Sequence, residues 1–350
     1  MKKLLAIILS LIMLLSLAAC AAPSENGKDT DTSAPETNAP QTEAEDKIDS
    51  SVQFNITVIS GTTGMGFSKL MDDDKNGTSF FDYNFEVVGA ADLASSAIIG
   101  GKADIAAVPT NLAAVLHKKT GGEVQIIAAN TLGVLYLLEN GETVTDIKSL
   151  EGKTIYCCQQ GANPEYITNY LLTENGLEVG KDVFLDFTYN SPDELTTAIA
   201  SGVVDLAVLP EPKVTAARTQ NADLRVALDF TEEWKAVNNG LPLIQGCLIA
   251  KKSFIEAHPA ELEKFLEEYA ASIEFVNANP EEASEMIAEF GIIPKAPLAK
   301  KAIPNCNLAF LSGDEMANGM MSFFGVLYNA NPSSVGGELP DAAKLFYKAE

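Results

Sequence analysis

Apolar and polar positions repeat one pattern twice along this chain. Ile99-Gly100-Gly101-Lys102-Ala103-Asp104-Ile105-Ala106-Ala107-Val108-Pro109 is echoed 101 residues later by Ala200-Ser201-Gly202-Val203-Val204-Asp205-Leu206-Ala207-Val208-Leu209-Pro210. Each copy reads as a helix end stopped by glycine, an aspartate, an apolar run of strand length and a closing proline. Asp92 and Asp193 keep the same offset in the helix upstream. Further back, residues 54–60 and 153–158 read as strands that run into glycine-containing loops at 61–66 and 159–164. The spacing predicts strand, loop, helix, strand, helix, strand in each half.

Between the copies, residues 124–129 read as a strand and 133–138 as a second apolar run just beyond Asn130-Thr131. The second copy opens at 145–150 and ends near Leu228, followed by a polar stretch, 229–241, with the single tryptophan, Trp234. Residues 243–250 return as a strand, and everything after them reads as helix. Leu262, Phe265, Leu266, Tyr269, Ile273 and Phe275 have helical spacing. Ser312-Gly313-Asp314-Glu315 reads as a capping box opening a helix toward Tyr328. Ser191-Pro192-Asp193-Glu194 is another, with proline at the first helical position. The chain thus leaves its first half near 130–138 and returns near 243–250, and two crossings make a hinge. The expected fold class is α/β: two Rossmann-like lobes, lobe 1 of residues 51–133 plus 245–350 and lobe 2 of residues 134–244. At 350 residues there is chain enough for an apolar core in each.

The first residues read differently. Lys2 and Lys3 precede an apolar stretch over 4–15, then Leu17-Ala18-Ala19-Cys20. This charged, apolar, small-residue order is that of an export signal, and the stretch is short for a membrane span. Its end resembles a bacterial lipobox, which implies a signal peptide over 1–19, cleavage before Cys20 and lipidation of that thiol with a palmitate-type chain. Residues 20–50 carry almost no large apolar side chain and read as a disordered tether. The expected location is the extracytoplasmic face of the cell membrane, held by lipid.

The charge balance, 48 acidic against 24 basic residues for a net −24, argues against nucleic acid and anionic surfaces as partners. Only two arginines occur, Arg218 and Arg225, which constrains any anionic ligand. Besides Cys20 there are Cys157, Cys158, Cys247 and Cys306, with no metal-type spacing, so neither a metal nor a cofactor is expected. Cys157 and Cys158 lie in one strand and face opposite ways as packing residues. A Cys247–Cys306 disulfide is conceivable in an exported protein but does not follow from the sequence. His117 falls at a solvated cationic helix end and His258 on the surface, neither with a nucleophile and acid near in sequence. The chain therefore shows no catalytic constellation and reads as a non-enzyme.

Four stretches resemble one family. They are Ser60-Gly61-Thr62-Thr63-Gly64-Met65-Gly66; residues 171–183 around Asn175-Gly176-Leu177; residues 198–212 with Asp205 and Glu211-Pro212; and Gln245-Gly246-Cys247-Leu248-Ile249 leading to His258-Pro259. In this order they resemble the solute-binding lipoproteins of nitrate/sulfonate/taurine-type ABC transporters and their thiamine-precursor-binding relatives. The resemblance implies the type II periplasmic binding-protein fold over residues 51–350, a monomer that captures a small molecule between its lobes, and an ABC permease as partner. Members that use a dedicated arginine for an oxyanion have no counterpart here. Two other functions stand beside this one: a ligand-sensing module for a membrane receptor, and an enzyme like the pyrimidine synthases related to the family, which use clustered cysteines and a histidine.

Ligands of α/β clefts bind at loops after the carboxyl ends of strands. Thr62, Thr63, Gly64 and Met65 open a helix there, whose free N–H groups suit a carboxylate, sulfonate or carbonyl. Thr110 and Asn111 follow Pro109, and Glu211 follows Pro210 at the equivalent place. Glu211 favours a ligand with N–H donors or positive charge, or else only satisfies the helix dipole. Gln159, Gln160 and Gly161 precede Asn163, an expected N-cap, and the glutamines either reach the ligand or cap and solvate the loop. Asn130, Thr131 and Gln245 stand at the crossings, where they serve hinge or ligand. Phe67, Tyr136 and Trp234 are candidates for stacking, with core packing the stronger expectation. The candidate ligand is a nitrogen heterocycle, an amine or a sulfonate.

Overall fold

Residues 48–348 are described by the computed structural model; the expected signal peptide, Cys20 and the expected tether up to residue 47 lie outside the described residues. The strands in chain order are β1 (Phe54–Ile59), β2 (Tyr83–Val88), β3 (Ile105–Pro109), β4 (Val124–Leu132), β5 (Leu135–Glu139) and β6 (Thr154–Cys157). They continue as β7 (Phe184–Asp186), β8 (Leu206–Pro210), β9 (Arg225–Asp229), β10 (Ile244–Lys251) and β11 (Leu308–Leu311). These form two sheets, one of six strands in the order β11-β4-β10-β3-β1-β2, the other of five in the order β7-β6-β8-β5-β9.

The two sheets are built alike. β1 runs parallel to β2 and β3, and β6 parallel to β7 and β8. In each sheet one antiparallel strand is inserted beside the third: β10 next to β3, β5 next to β8. The echoed segments occupy matching places. The helices Ala91–Ile99 and Pro192–Ala200 precede β3 and β8. Gly101 and Gly202 then turn the chain at φ 74° and 70°, a left-handed backbone that a Cβ would strain. The carbonyl of Asp104 accepts the N–H of Lys251 at 3.0 Å, and that of Asp205 accepts the N–H of Asn140 at 2.8 Å. Both donors lie at the end of the inserted strand.

Alternation along the strands sends side chains to opposite faces. Phe54, Ile56 and Val58 enter an apolar cluster with Phe265, Tyr269 and Ile273 of the helix Pro259–Ala278. In the smaller sheet, Tyr136 and Leu138 of β5 and Ala207 and Leu209 of β8 follow the same rule, and Cys158 joins their cluster with Leu195 and Ile199. The remaining faces of both sheets share one cluster, which holds Val108 and Ile249 from one and Leu137, Ile155 and Cys157 from the other. It includes Trp234, fully buried and in ring contact with Tyr170 and Phe323 at 5.1 and 5.7 Å. Phe323 comes from the helix Gly313–Ala330, so a C-terminal element closes the core of the central segment. A core for each half is therefore joined by a third that both halves supply.

Several local expectations are corrected. The chain after β10 is not all helix: β11 pairs antiparallel with β4, and its Leu-Ala-Phe-Leu sequence lacks the alternation that would have marked it. Ser312 is the N-cap of Gly313–Ala330 but its hydroxyl makes no cap bond, with Gly313 at φ 62°. The box at Ser191 and Glu194 is formed in both directions. Asn163 is not the N-cap of its helix; Ala162 is. His117 is buried rather than solvated, its Nδ1–H donating to the carbonyl of Val124 at 2.7 Å. All four cysteines in the described residues are free and buried, so Cys247 and Cys306 are unpaired. No helix among the described residues is long and apolar enough to cross a membrane.

Candidate functional site

The carboxyl ends of both sets of parallel strands meet. Two residues, Gly133 and Val134, separate the end of β4 from the start of β5, which brings the two edges face to face. Across them Asn163 Nδ2 donates to Asn111 Oδ1 at 3.2 Å, joining the turn after β6 to the turn after β3. The expected cap residue is thus a link between the halves.

On the six-stranded side, Thr62 and Thr63 are half-buried at the start of a one-turn helix, Thr62–Met65. Gly64 and Met65 are buried, and Met65 belongs to the apolar cluster on β1. Asn130 Nδ2 donates to the Thr63 carbonyl at 3.0 Å, and Thr131 Oγ1 donates to Asn130 Oδ1 at 3.1 Å. Both residues are almost fully buried, so they fix the Thr62–Thr63 turn from behind. Thr110 is fully buried beside the Cys247 thiol, while Asn111 is half-buried and faces the other half.

On the five-stranded side, Gln159, Gln160 and Gly161 are exposed. Gln159 adopts φ 58°, uncommon for a residue with a side chain. Asn190 holds the loop, its carbonyl accepting the Gln159 N–H at 2.8 Å and its Oδ1 the Gln160 N–H at 2.7 Å. Tyr166 Oη donates to the Gly161 carbonyl at 2.7 Å and accepts from Asn331 Nδ2 at 3.0 Å. Glu211 is 3% exposed, with its carboxylate accepting the Thr215 N–H at 3.1 Å and the Thr215 hydroxyl at 2.9 Å. Burial pushes its pKa up to about 7, against the downward pull of Thr215, Arg218 and Asn305. Asp229 caps the following helix through the Thr231 N–H at 2.8 Å.

The crossings are stitched together. Gln245 Oε1 accepts the Val134 N–H at 2.8 Å, and the Gly133 carbonyl accepts from Thr231 Oγ1 at 3.0 Å and Asn307 Nδ2 at 2.6 Å. Tyr136 Oη donates to the Asn305 carbonyl at 2.7 Å. The segment 303–307 thus braces the hinge, a role absent from the sequence reading; the one local signal is Asn307 at φ 46°, a conformation asparagine tolerates. Phe67, Tyr136 and Trp234 are all core residues.

The turns at the two facing edges carry hydroxyls, amides and the carboxylates of Glu211 and Asp229, and no Lys, Arg or His: Ser60–Thr63, Gly89–Ala91, Thr110–Asn111, Asn130–Thr131, 159–163, 188–191, Glu211–Pro212, Asp229 and Gln245. The next residue, Lys213, is paired with Asp193. Arg225 is paired with the buried Glu139, well away from these turns. A depression of about 490 Å³ lined by Tyr189, Glu194, Ala198 and Val203 belongs wholly to the five-stranded half and is not this cleft.

Two sheets of this strand order, each with an inserted antiparallel strand and facing carboxyl edges across a double crossing, define a type II periplasmic binding-protein fold. Residues 89–283 match the family described as "NMT1/THI5 like", and the chain belongs to that family. Among solved structures it is similar to an ABC transporter protein from Parabacteroides distasonis, at 25% identity and TM-score 0.70 over 86% of this chain and 100% of that one. It is also similar to the periplasmic aliphatic sulphonate-binding protein SsuA from Escherichia coli, at 16% identity and TM-score 0.65 over 85% and 92%. The periplasmic nitrate-binding protein NrtA from Synechocystis PCC 6803 matches at 13% identity and TM-score 0.53 over 81% and 84%. No curated protein matches by sequence.

Proposed function

We propose that this chain is a solute receptor of an ABC transporter, anchored by lipid at Cys20 on the outer face of the cell membrane. It captures a small molecule between lobe 1 (51–133 plus 245–350) and lobe 2 (134–244) and delivers it to a permease. Ligand bridging both edges favours the closed arrangement, and no bond is made or broken. The family and the fold of its structural neighbours support this reading. The proposed ligand contacts are Thr62, Thr63, Asn111, Gln159, Gln160 and Gly161, with Gly64, Met65, Thr110, Thr131 and Gln245 shaping the cleft behind them. Glu211 stands behind these contacts, its carboxyl buried and its oxygens engaged by Thr215.

The observation that carries the ligand class is the absence of any cationic side chain on the cleft turns, where two carboxylates stand. That lining suits a neutral or cationic nitrogen compound, an amine or a nitrogen heterocycle, better than the sulphonate or nitrate in the names of the structural neighbours. The cysteines do not support an enzyme. Burial pushes Cys158 up to about 11 and Cys247 up to about 12, which leaves them as thiols at neutral pH.

Native mass spectrometry of the intact chain tests the receptor reading by detecting a co-purified small molecule. Calorimetric titration with a diamine, an aminopyrimidine, ethanesulfonate and nitrate then tests the class. Binding of a nitrogen compound with no heat from the two anions is expected. Tight binding of ethanesulfonate would overturn the ligand class, and a ligand consumed to product would overturn the receptor.

A further inference from the structure

One cavity is lined by residues from both halves of the molecule, and its Thr215 is the residue that holds Glu211. It measures about 260 Å³ and is bounded by Thr215, Arg218, Thr219 and Ala222 on one side and Lys301 and Asn305 on the other. The first group lies on and just beyond the helix Lys213–Gln220, which follows β8. The second lies on the run from Ala296 to Asn305, whose Ala299, Ala302 and Ile303 pack into the apolar cluster of β1.

Its charge is the reverse of the chain's. Acidic residues outnumber basic ones two to one, and the described lysines and arginines form thirteen ion pairs. Arg218 and Lys301 are in none of them. Arg218 is nonetheless fixed: its Nε–H donates to the Leu224 carbonyl at 3.1 Å, and that bond does not use the two Nη groups. The other polar groups of the wall are occupied. Thr215 Oγ1 donates to Glu211 and Thr219 Oγ1 to the Thr215 carbonyl at 2.8 Å. The donors left over are thus one guanidinium edge and one ammonium, supplied by opposite halves.

We propose that Arg218 and Lys301 form a binding site for a small oxyanion of the size of sulfate or phosphate, at the seam between the two halves. A planar guanidinium edge offers paired N–H donors to such a group, and the lysine adds a point charge. An anion held by both bridges the halves at the spacing they have here and favours that spacing over any other. The buried Glu211 carboxylate behind Thr215 opposes the anion in part, but it is itself offset by Arg218 and hydrogen-bonded by Thr215 and Asn305.

The test is thermal unfolding of the intact chain, with and without about 10 mM sulfate at constant ionic strength set with chloride, for the wild type and for Arg218→Gln combined with Lys301→Gln. Both side chains are exposed, so the fold is expected to survive, and circular dichroism checks it. Sulfate should raise the wild-type Tm by roughly 2–4 °C and the double variant's by less than a quarter of that. Equal shifts in both proteins, or no shift in either, would overturn the site. Calorimetry with sulfate gives a second readout: heat lost in either single variant, Arg218→Gln or Lys301→Gln, supports the pair. Heat that persists in the double variant moves the anion to the cleft and sinks the proposal without touching the receptor reading.

Discussion

Gln245 Oε1 accepts the backbone N–H of Val134 at 2.8 Å, so one chain crossing is hydrogen-bonded to the other. Val134 is buried at 7% exposure, so its N–H relies on this partner. Replacing Gln245 by Leu keeps the bulk but orphans that donor, at a cost of about 1–3 kcal/mol. Urea unfolding should show a lowered midpoint with an unchanged slope. Small-angle scattering of the ligand-free variant should show a larger radius of gyration, because the bond lies at the hinge.

The neighbouring glycine is a packing requirement. A Cβ on Gly246 would stand 2.6 Å from Thr63 Cγ2, 2.7 Å from Asn130 Oδ1 and 2.9 Å from Thr131 Cβ. All three belong to the network that holds the Thr62–Thr63 turn. Gly246→Ala should therefore destabilise by about 1–3 kcal/mol. It should also weaken solute binding, whereas Gly89→Ala, where a Cβ meets nothing within 4 Å, should leave the stability unchanged. Calorimetry with the co-purified solute and a denaturant series read the two effects.

Glu211 makes stability depend on pH near neutrality. Its pKa is raised from 4.5 to about 7 by burial, so the native state holds this proton where the unfolded chain has lost it. The resulting stabilisation is fully present below pH 4.5 and is lost as pH rises through 7. Glu211→Gln removes that dependence. The stability difference between wild type and variant, measured by denaturant at about pH 5 and about pH 8, should move against the wild type by about 1–3 kcal/mol at the higher pH. A difference that stays flat across this range would show that the carboxyl titrates normally.

Phe323 carries a large share of the shared core. It is fully buried and meets Trp234 edge-on at 5.7 Å. Phe323→Ala should cost about 3–5 kcal/mol and loosen the grip of Gly313–Ala330 on the central segment. Because Trp234 is the single tryptophan, its fluorescence reports this junction directly. The variant should show red-shifted emission before unfolding and a lower midpoint.

Much of the architecture was legible because its signals are local. Gly101 and Gly202, Asp104 and Asp205, and the apolar runs that became β3 and β8 each declare their backbone by residue type alone. The capping box at Ser191 formed for the same reason, since its two bonds span three residues. The site was only partly legible. The turns after the strands were found, yet Asn163 reaches Asn111 instead of capping, and Glu211 is turned inward to Thr215. Lys118 and Lys119 place His117 at a solvated helix end by local pattern, whereas the Val124 carbonyl it donates to lies seven residues away across a turn.

By itself, then, the sequence determined the repeated strand–helix units and their matching turns, because backbone conformation answers to glycine, proline and apolar period within a few residues. Only the tertiary structure decided which polar groups face the cleft, which are spent inside it, and that Gly313–Ala330 seals both halves into a common core. Those outcomes depend on burial and on partners far off along the chain, such as Asn305 with Tyr136 and Phe323 with Trp234, and no local pattern encodes a partner's position.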